Sequence, residues 1–248
     1  MPKFFVKNEQ VNDEKINIIG QDVNHIKTVL RSKIGDSIEI CNSDFQENFL
    51  CKIEKIEKEK IECKIIEKIE IKTESNVQVT IFQGIPKFDK MEYIIQKSVE
   101  LGVYNIVPTE MKRCIVKITD KDKTKKQERW QKISEVAAKQ CGRDIVPKVE
   151  DIINIKEISN SINDYDLFLV AYENEEKNKL KSELKKIDTN KNNIKIGLLI
   201  GPEGGLEEND VIKLKENGAK IITLGKRILR TETVALNVLS IIMYEIEK

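Results

Sequence analysis

Hydrophobic and polar positions alternate along the chain up to about residue 72, and this pattern predicts a small β-rich domain. Apolar side chains occupy every second position in short runs, for example in residues 37–40 and 60–65, and turn-forming residues separate the runs. A period of two is typical of strands with one buried face. We therefore expect antiparallel strands over residues 1–72.

One helix is predicted inside this β-rich part. Residues 25–31 carry apolar side chains at helical spacing, with Asp22 before them and Gly35 after them. Asp is common at a helix start, and Gly commonly follows a helix end. Residues 53–60 fit both a strand and a helix, so the pattern leaves that stretch undecided.

After the polar residues 73–76 the pattern changes to alternating strands and helices. Apolar, strand-like runs lie at residues 77–82, 103–108, 167–172, 194–200 and 220–224. Helical patterns separate them, and the clearest begins after Asp89 and ends at Gly102. Strands that alternate with helices are typical of a mostly parallel sheet with helices on both faces. The fold class is therefore α/β, with domains over residues 1–72 and 73–248.

The overall charge is nearly balanced, so it does not by itself indicate a nucleic-acid partner. The 248 residues include 43 Lys and Arg against 42 Asp and Glu, a net charge of +1. Any basic surface must therefore be local. The five cysteines form no C-x-x-C pair, the first residues lack a signal pattern, and no apolar run approaches about eighteen residues. We expect a cytoplasmic protein without a membrane segment. His25 is the one histidine, which excludes a histidine-rich metal site, and we predict no metal.

Two glycine-bearing loops carry most of the chemical information. Residues 201–205 read GPEGG and residues 225–231 read GKRILRT, and each loop follows a strand-like run and precedes a helical one. In open α/β sheets, ligands bind beyond the carboxyl ends of strands, and glycine lets the main chain approach a ligand closely. The two loops are therefore candidate ligand loops.

A phosphate ligand fits these loops poorly. Neither G-x-x-x-x-G-K-[ST] nor G-x-G-x-x-G stands at a strand end, and Glu203 puts a carboxylate inside the first loop. A neutral or cationic ligand fits better, and S-adenosylmethionine, whose sulfonium is positive and which carries no phosphate, is such a ligand. The alternative is that the glycines only terminate strands, and spacing alone does not decide between the two.

Seven segments spread over the chain carry a family resemblance. They read PKFFV at 2–6, HIKTVLR at 25–31, DKME at 89–92, QKSVELGV at 96–103, AAKQCGR at 137–143, IGPEGG at 200–205 and LGKRILRTETVA at 224–235. Together they resemble the RsmE family, the SPOUT-class methyltransferases that methylate N3 of a uridine in small-subunit (16S) ribosomal RNA. The last two segments are specific in combination. Two positions depart from the family pattern: Phe88 stands where glycine is usual, and Lys139 where an acidic residue is common.

The resemblance implies an N-terminal PUA-like β-barrel and a C-terminal SPOUT α/β domain with a C-terminal trefoil knot. Nothing in the periodicity predicts the knot, and general topology rules argue against one. The resemblance also implies S-adenosylmethionine as methyl donor, held largely by main-chain atoms. The implied cofactor-binding residues are Ala171, Tyr172, Glu173, Ile200, Gly201, Glu203, Gly204, Gly205, Leu224, Gly225, Arg227, Ile228, Leu229, Thr231, Thr233 and Ala235.

Methylation at N3 requires loss of the N3 proton, and the sequence leaves its acceptor open. Glu203, Glu232 and water are candidates, and both glutamates fit equally well as helix-cap or loop-bracing residues. Arg230 is a candidate for stabilising the anionic uracil. The target base must be unpaired or flipped out so that its Watson–Crick edge is accessible.

The expected partners are 16S ribosomal RNA in the small subunit and a second copy of the chain. The RNA-binding candidates are Lys3, Phe5, Arg31, Lys87, Lys112, Arg113, Gln140 and Arg143. The last helix, around residues 234–242, is apolar on more than one face, which requires wide burial or a partner. The resemblance implies a homodimer, in which the partner subunit's Arg143 completes the site.

Two other functions stay open on the sequence. One is a non-catalytic RNA-binding or ribosome-assembly protein, although the intact glycine loops and Arg230 argue against it. The other is a nucleotide-dependent α/β enzyme, which ATP or NAD would stabilise. Binding of S-adenosylmethionine distinguishes both from a methyltransferase.

Overall fold

The computed structural model describes residues 3–70 and 73–248, which form two compact units. The first unit comprises Met1–Glu74 together with Ala138–Val146, and the second comprises Ser75–Ala137 together with Pro147–Lys248. The predicted domain boundary after residue 72 falls on a residue outside the described ranges.

The first unit is built on a five-stranded sheet, as the alternating pattern predicts. Its strands are β1 (Lys3–Val6), β2 (Lys15–Ile19), β3 (Ser37–Asn42), β4 (Glu47–Ile56) and β5 (Lys60–Ile69). Their order is β1-β3-β4-β5-β2, and only the β1–β3 pairing is parallel. The undecided stretch 53–60 is thus the end of β4 and a tight turn into β5. Alternate isoleucines, among them Ile38 and Ile40 of β3, fill the core.

The helix predicted in this unit is short, and its second half is a π-helical turn, which is wider than an α-helical turn. A short helix α1 (Gln21–Asn24) continues as one π-helical turn (His25–Val29), in which the Leu30 N–H donates to the His25 carbonyl at 3.0 Å. Only Ile26 of the predicted apolar face is buried. The wide turn carries Val29 and Leu30 outward, to 65% and 38% exposure. Arg31, with φ of +54°, ends the element before Gly35.

A later segment of the chain completes the first unit. Asp144 is only 3% exposed, and its carboxylate accepts from Lys3 Nζ at 2.5 Å, from Thr73 Oγ1 at 2.8 Å and from the amide of Asn48. The adjacent Arg143 forms an ion pair with Glu74 at 2.5 Å. A buried charge is tolerated only when it is paired and hydrogen-bonded. Residues 138–146 are therefore an integral part of this unit.

The second unit contains a seven-stranded sheet in which every pairing is parallel. Its strands are β6 (Val77–Gly84), β7 (Asn105–Glu110), β8 (Lys148–Val149), β9 (Ile153–Asn154), β10 (Leu167–Ala171), β11 (Ile194–Ile200) and β12 (Lys220–Ile222). The order is β12-β10-β11-β6-β7-β8, with β9 also pairing with β7. This confirms the α/β fold class.

Six helices follow α1. They are α2 (Lys90–Glu100), α3 (Asp120–Cys141), α4 (Ile155–Ile158), α5 (Leu180–Leu184), α6 (Glu208–Glu216) and α7 (Thr231–Ile246), and 3₁₀ turns lie at Asn8–Gln10 and Ile162–Asp164. Asp89 occupies the N-cap of α2, as predicted, but its side chain makes no capping hydrogen bond. Gly102, with φ of +92°, follows the end of α2, and α2 packs against α7. Within the described residues, no helix is long and apolar enough to span a bilayer. The trefoil knot stays a prediction.

Candidate active site

A cavity of about 500 Å³ lies where three neighbouring strands of the second unit end. Residues 171–173 follow β10, residues 200–205 follow β11 and residues 223–231 follow β12, and all three segments line it together with Lys90 and Val234. Because β10, β11 and β12 are parallel neighbours, their carboxyl ends meet at one edge of the sheet. The two glycine loops therefore face the same cavity.

The first loop has a shape that only glycine permits at one position. Gly205 has φ of +69°, and its N–H donates to the Pro202 carbonyl at 2.9 Å, which closes a tight turn. A Cβ at Gly205 would stand 2.2 Å from Oε1 of Glu173. Any side chain there would displace the Glu173 carboxylate from the cavity wall.

The second loop is fastened to the first at the start of α7. Thr231 is 6% exposed, and its hydroxyl donates to the Gly201 carbonyl at 2.7 Å and accepts from Gln83 Nε2 at 2.8 Å. Gln83 is fully buried at the end of β6. Sequence analysis missed Gln83, because a glutamine inside an apolar strand gives no signal of its own.

Glu203 is held in place by the segment that precedes α2. Its carboxylate accepts from the Lys87 N–H at 3.1 Å and from Lys90 Nζ at 2.9 Å, and Lys90 also lies 3.4 Å from Glu232. Burial alone would raise the pKa of the Glu203 carboxyl, but the hydrogen bonds from Lys90 and from the backbone outweigh it and hold the pKa below its usual value. Glu203 is therefore ionised and hydrogen-bonded to Lys87 and Lys90, which fits a residue that braces the first glycine loop.

Arg230 occupies the N-cap position of α7 and lines the cavity with an exposed side chain. Its carbonyl accepts from the N–H groups of Thr233 and Val234, at 2.8 and 3.0 Å. Across residues 3–70 and 73–248, no carboxylate lies within ion-pair distance of its guanidinium. The guanidinium is thus available to a ligand.

Most of the predicted cofactor-binding residues line this one cavity. They are Ala171, Tyr172, Glu173, Ile200, Gly201, Glu203, Gly204, Gly205, Leu224, Gly225, Arg227, Ile228, Leu229 and Thr231. Thr233 and Ala235 do not: Thr233 is exposed elsewhere on α7, and Ala235 is fully buried. Each residue of a helix is rotated by about 100° from the last, so only one side of the first turn can face the cavity. Pro202 and Lys226, inside the two predicted loops, also line it, and three further lining residues lie outside the predicted segments: Lys90, Thr223 and Val234.

The structure gives two predicted RNA-binding residues another role. Lys3 and Arg143 are largely buried and paired with Asp144 and Glu74 within the first unit. Their positive charges are already paired with carboxylates inside the folded unit. The sequence could not show this pairing, because the paired residues are distant along the chain. Arg31 and Gln140 are exposed, and Phe5 and Lys87 are half-buried.

Lys112 and Arg113 are exposed, but they also contact the first glycine loop and its continuation. Both pair with Glu207, at 2.7 and 2.8 Å, and the Arg113 guanidinium donates to the Gly204 carbonyl at 3.1 Å. These contacts lower the pKa of Glu207. Arg113 therefore supports the cavity wall, and its predicted contact with RNA stays a prediction.

The buried cysteines cannot act as nucleophiles at this cavity. Burial raises the pKa of the Cys41, Cys51 and Cys63 thiols to about 12, and none of the three lines the cavity. A nucleophilic cysteine must be a thiolate at working pH. Among the residues that the structure describes, no group of three or more His, Cys, Asp or Glu could hold a metal ion.

The cavity fits S-adenosylmethionine. Its volume lies within the range of small-ligand sites. Two glycine turns, at Gly205 and at Gly225 with φ of +110°, leave main-chain atoms uncovered at its wall, and Glu173, whose side chain is exposed, lines it. Main-chain polar groups suit a nucleoside, and carboxylates suit a cationic sulfonium.

The fold and the site define an RNA methyltransferase. A family model described as the RNA methyltransferase domain matches residues 73–243, and one described as the RNA methyltransferase PUA domain matches residues 18–66. The chain belongs to the ribosomal RNA small subunit methyltransferase E family, RsmE. A relative of that name from Bacillus subtilis is 37% identical, over 100% of this chain and 98% of its own length.

Solved structures agree with the assignment. The RsmE protein from Neisseria gonorrhoeae, bound to S-adenosyl methionine, is 30% identical with a TM-score of 0.85, over 100% of this chain and 98% of that one. A methyltransferase from Legionella pneumophila, in complex with the same cofactor, is 27% identical with a TM-score of 0.85 at the same coverage. The N-terminal sheet is accordingly PUA-like, and the C-terminal unit is of the SPOUT type.

Proposed function

We infer that this chain transfers a methyl group from S-adenosylmethionine to N3 of a uridine in 16S ribosomal RNA of the small ribosomal subunit. The observation that carries the inference is the cavity at the ends of β10, β11 and β12, walled by two glycine turns. Family membership supplies the RNA substrate. A ribosomal substrate also supports a location in the cytoplasm.

Main-chain atoms of three loops would hold the cofactor. They belong to residues 171–173, 200–205 and 224–229, with Glu173 supplying negative charge. When bound, the cofactor supplies an electrophilic methyl group. Positioning the uracil N3 in line with that group accounts for much of the acceleration.

Arg230 and Glu203 have different roles in the proposed reaction. Arg230 stabilises the negative charge that develops on the uracil as the N3 proton leaves, because its guanidinium is free and faces the cavity. Glu203, ionised and held by Lys90, braces the first glycine loop. Glu232 does not line the cavity. Water is the proposed acceptor of the N3 proton, because the Glu203 carboxylate is already engaged by Lys90 and by the Lys87 N–H.

Two measurements test this function. Calorimetry with S-adenosylmethionine should show binding, and mass spectrometry of 16S ribosomal RNA should show that an N3-methylated uridine is lost in cells without the protein and regained when it is added back. Binding of ATP or NAD without S-adenosylmethionine binding would instead support a nucleotide-dependent enzyme. An unchanged RNA would contradict methylation.

The enzyme acts as a homodimer that needs no metal. The outer side of α7 forms a shallow groove with Leu236 and Ile241 half-exposed and Tyr244 88% exposed. An apolar helix surface of this kind is a typical contact between subunits. Methyl transfer from a sulfonium needs no Lewis acid, so a chelator should leave turnover unchanged.

A further inference from the structure

Phe88 combines two features that folding does not explain. It has φ of +55°, in the left-handed region, and its side chain is 88% exposed. A bulky residue is an outlier in that region because its Cβ approaches the backbone too closely. A ring so exposed gains little from burial. Folding alone would favour glycine at this position.

Local packing does not account for the ring either. Phe88 precedes Asp89, the N-cap of α2, and an apolar residue there often packs against the fourth residue of the helix, here Tyr93. Tyr93 is 47% exposed, and no ring contact joins it to Phe88, although the structure describes both. The hydrophobic staple is therefore absent.

The turn that carries the ring is tied to the wall of the active-site cavity. Ile85 and Pro86, on one side of it, are buried. The Lys87 N–H and the Lys90 ammonium, which flank it, both hold Glu203 of the first glycine loop, at 3.1 and 2.9 Å. Phe88 thus belongs to a turn tied directly to the cavity wall.

The surroundings match RNA in charge. In the described part of the chain, no carboxylate lies within ion-pair distance of the Lys87 ammonium, so Lys87 is free to approach a phosphate. An exposed aromatic ring beside a free cationic group is an arrangement by which proteins bind unpaired nucleotides, with the base stacked on the ring.

We propose that Phe88 stacks against an unpaired nucleobase of the RNA substrate and so holds the strand at the mouth of the cavity. This rests on the proposed methylation of ribosomal RNA. Stacking compensates for the strained backbone that presents the ring. The ligand is a single-stranded part of the RNA, since a paired base has no free face.

The test compares Phe88→Gly, Phe88→Leu and Phe88→Trp in methylation of small subunits that lack the modification. Loss of a stacked base costs about 5- to 150-fold in RNA affinity, so Phe88→Gly should raise the KM for the subunit by at least about 5-fold. Phe88→Leu should behave like Phe88→Gly, and Phe88→Trp should restore the KM. The affinity for S-adenosylmethionine should stay within about 2-fold throughout.

Gln46→Gly is the matched control, because Gln46 has φ of +53° without an aromatic ring. It should leave the KM for the subunit unchanged, and neither glycine variant should lower the melting temperature, since both relieve the backbone. A KM of Phe88→Gly or Phe88→Leu equal to that of the unaltered protein would overturn the proposal. So would a fall in both melting temperature and cofactor affinity for Phe88→Gly, which would show a structural role. If the unaltered protein neither binds the cofactor nor methylates, the proposed function itself fails, and the stacking proposal fails with it.

Discussion

Arg230 and Glu203 carry charge at the same cavity wall, but their surroundings assign them different work. Glu203 accepts from Lys87 and Lys90, whereas no carboxylate among the described residues pairs with Arg230. The sequence offers both as catalytic candidates and favours Arg230, because an arginine beside a ligand loop has no obvious packing role. It does not show that the Glu203 charge is already neutralised by Lys90.

Arg230→Ala should lower kcat by about 10²-fold and change the affinity for S-adenosylmethionine by less than about 2-fold. The reason is that its charge matters chiefly when the uracil becomes anionic. Single-turnover methylation and calorimetry measure the two effects. Arg129→Ala, which removes an exposed arginine outside the cavity, is the control and should change neither. An unaltered rate for Arg230→Ala would remove it from the mechanism.

Glu203 should contribute stability at neutral pH and lose it in acid. Its pKa is lower in the folded protein than the ordinary value of 4.5, so the ionised form is favoured by folding. The contribution is present above the ordinary value and disappears as the pH falls through the folded pKa. The melting temperature of the protein should exceed that of Glu203→Gln by a constant margin above about pH 6, and the margin should close below pH 4.5. A margin that grows on acidification contradicts the assignment.

Among the secondary-structure elements, the long apolar ones were predictable and the short or irregular ones were not. β10 is a continuous apolar run, and β6 and β11 are mostly apolar and mostly buried in a parallel sheet, so hydropathy alone located them. The two-residue strands β8 and β9 are too short for any period to register. The π-helical turn is invisible for a related reason, since its apolar residues follow ordinary helical spacing.

The same limit applies to the site. Glycine loops and strand ends predicted most of the cavity wall, but the support from Gln83, Lys90 and Arg113 depends on contacts between segments distant in sequence. Thr233 and Ala235 were predicted only because they belong to the family motif. In the first turn of α7, the side that lines the cavity carries Thr231 and Val234 instead.

The segment 138–146 should prove as important to stability as any core strand. Asp144→Ala removes a buried carboxylate that Lys3, Asn48 and Thr73 all contact, so we expect a loss of about 3–5 kcal/mol in the free energy of unfolding. Urea unfolding followed by circular dichroism measures it. Asp151→Ala, at an exposed carboxylate, should cost within about 0.5 kcal/mol. Similar losses in the two variants would refute the role of the buried network.

At the scale of the whole molecule, the outer groove of α7 is the surface that we propose for association of two copies of the chain. Replacing Tyr244 and Leu236, which line it, with Asp should shift sedimentation from dimer to monomer, because two buried carboxylates without partners oppose association. Ile212→Asp, at an apolar residue 47% exposed on α6, is the control and should leave the dimer intact. A monomeric unaltered protein would contradict the homodimer.

The place of Asp144 in the chain affects how the protein can be made. The sheet of the first unit is complete by Ile69, yet Asp144, a carboxylate that pairs with Lys3, is encoded 75 residues later. During translation at roughly 5–20 residues per second, the nascent sheet must wait about 4–15 s for this contact. Until then Lys3 can pair with Glu39 of β3, at 3.6 Å, but lacks the buried Asp144 carboxylate. A protease or a chaperone therefore meets an incompletely stabilised N-terminus even though every strand has already been synthesised.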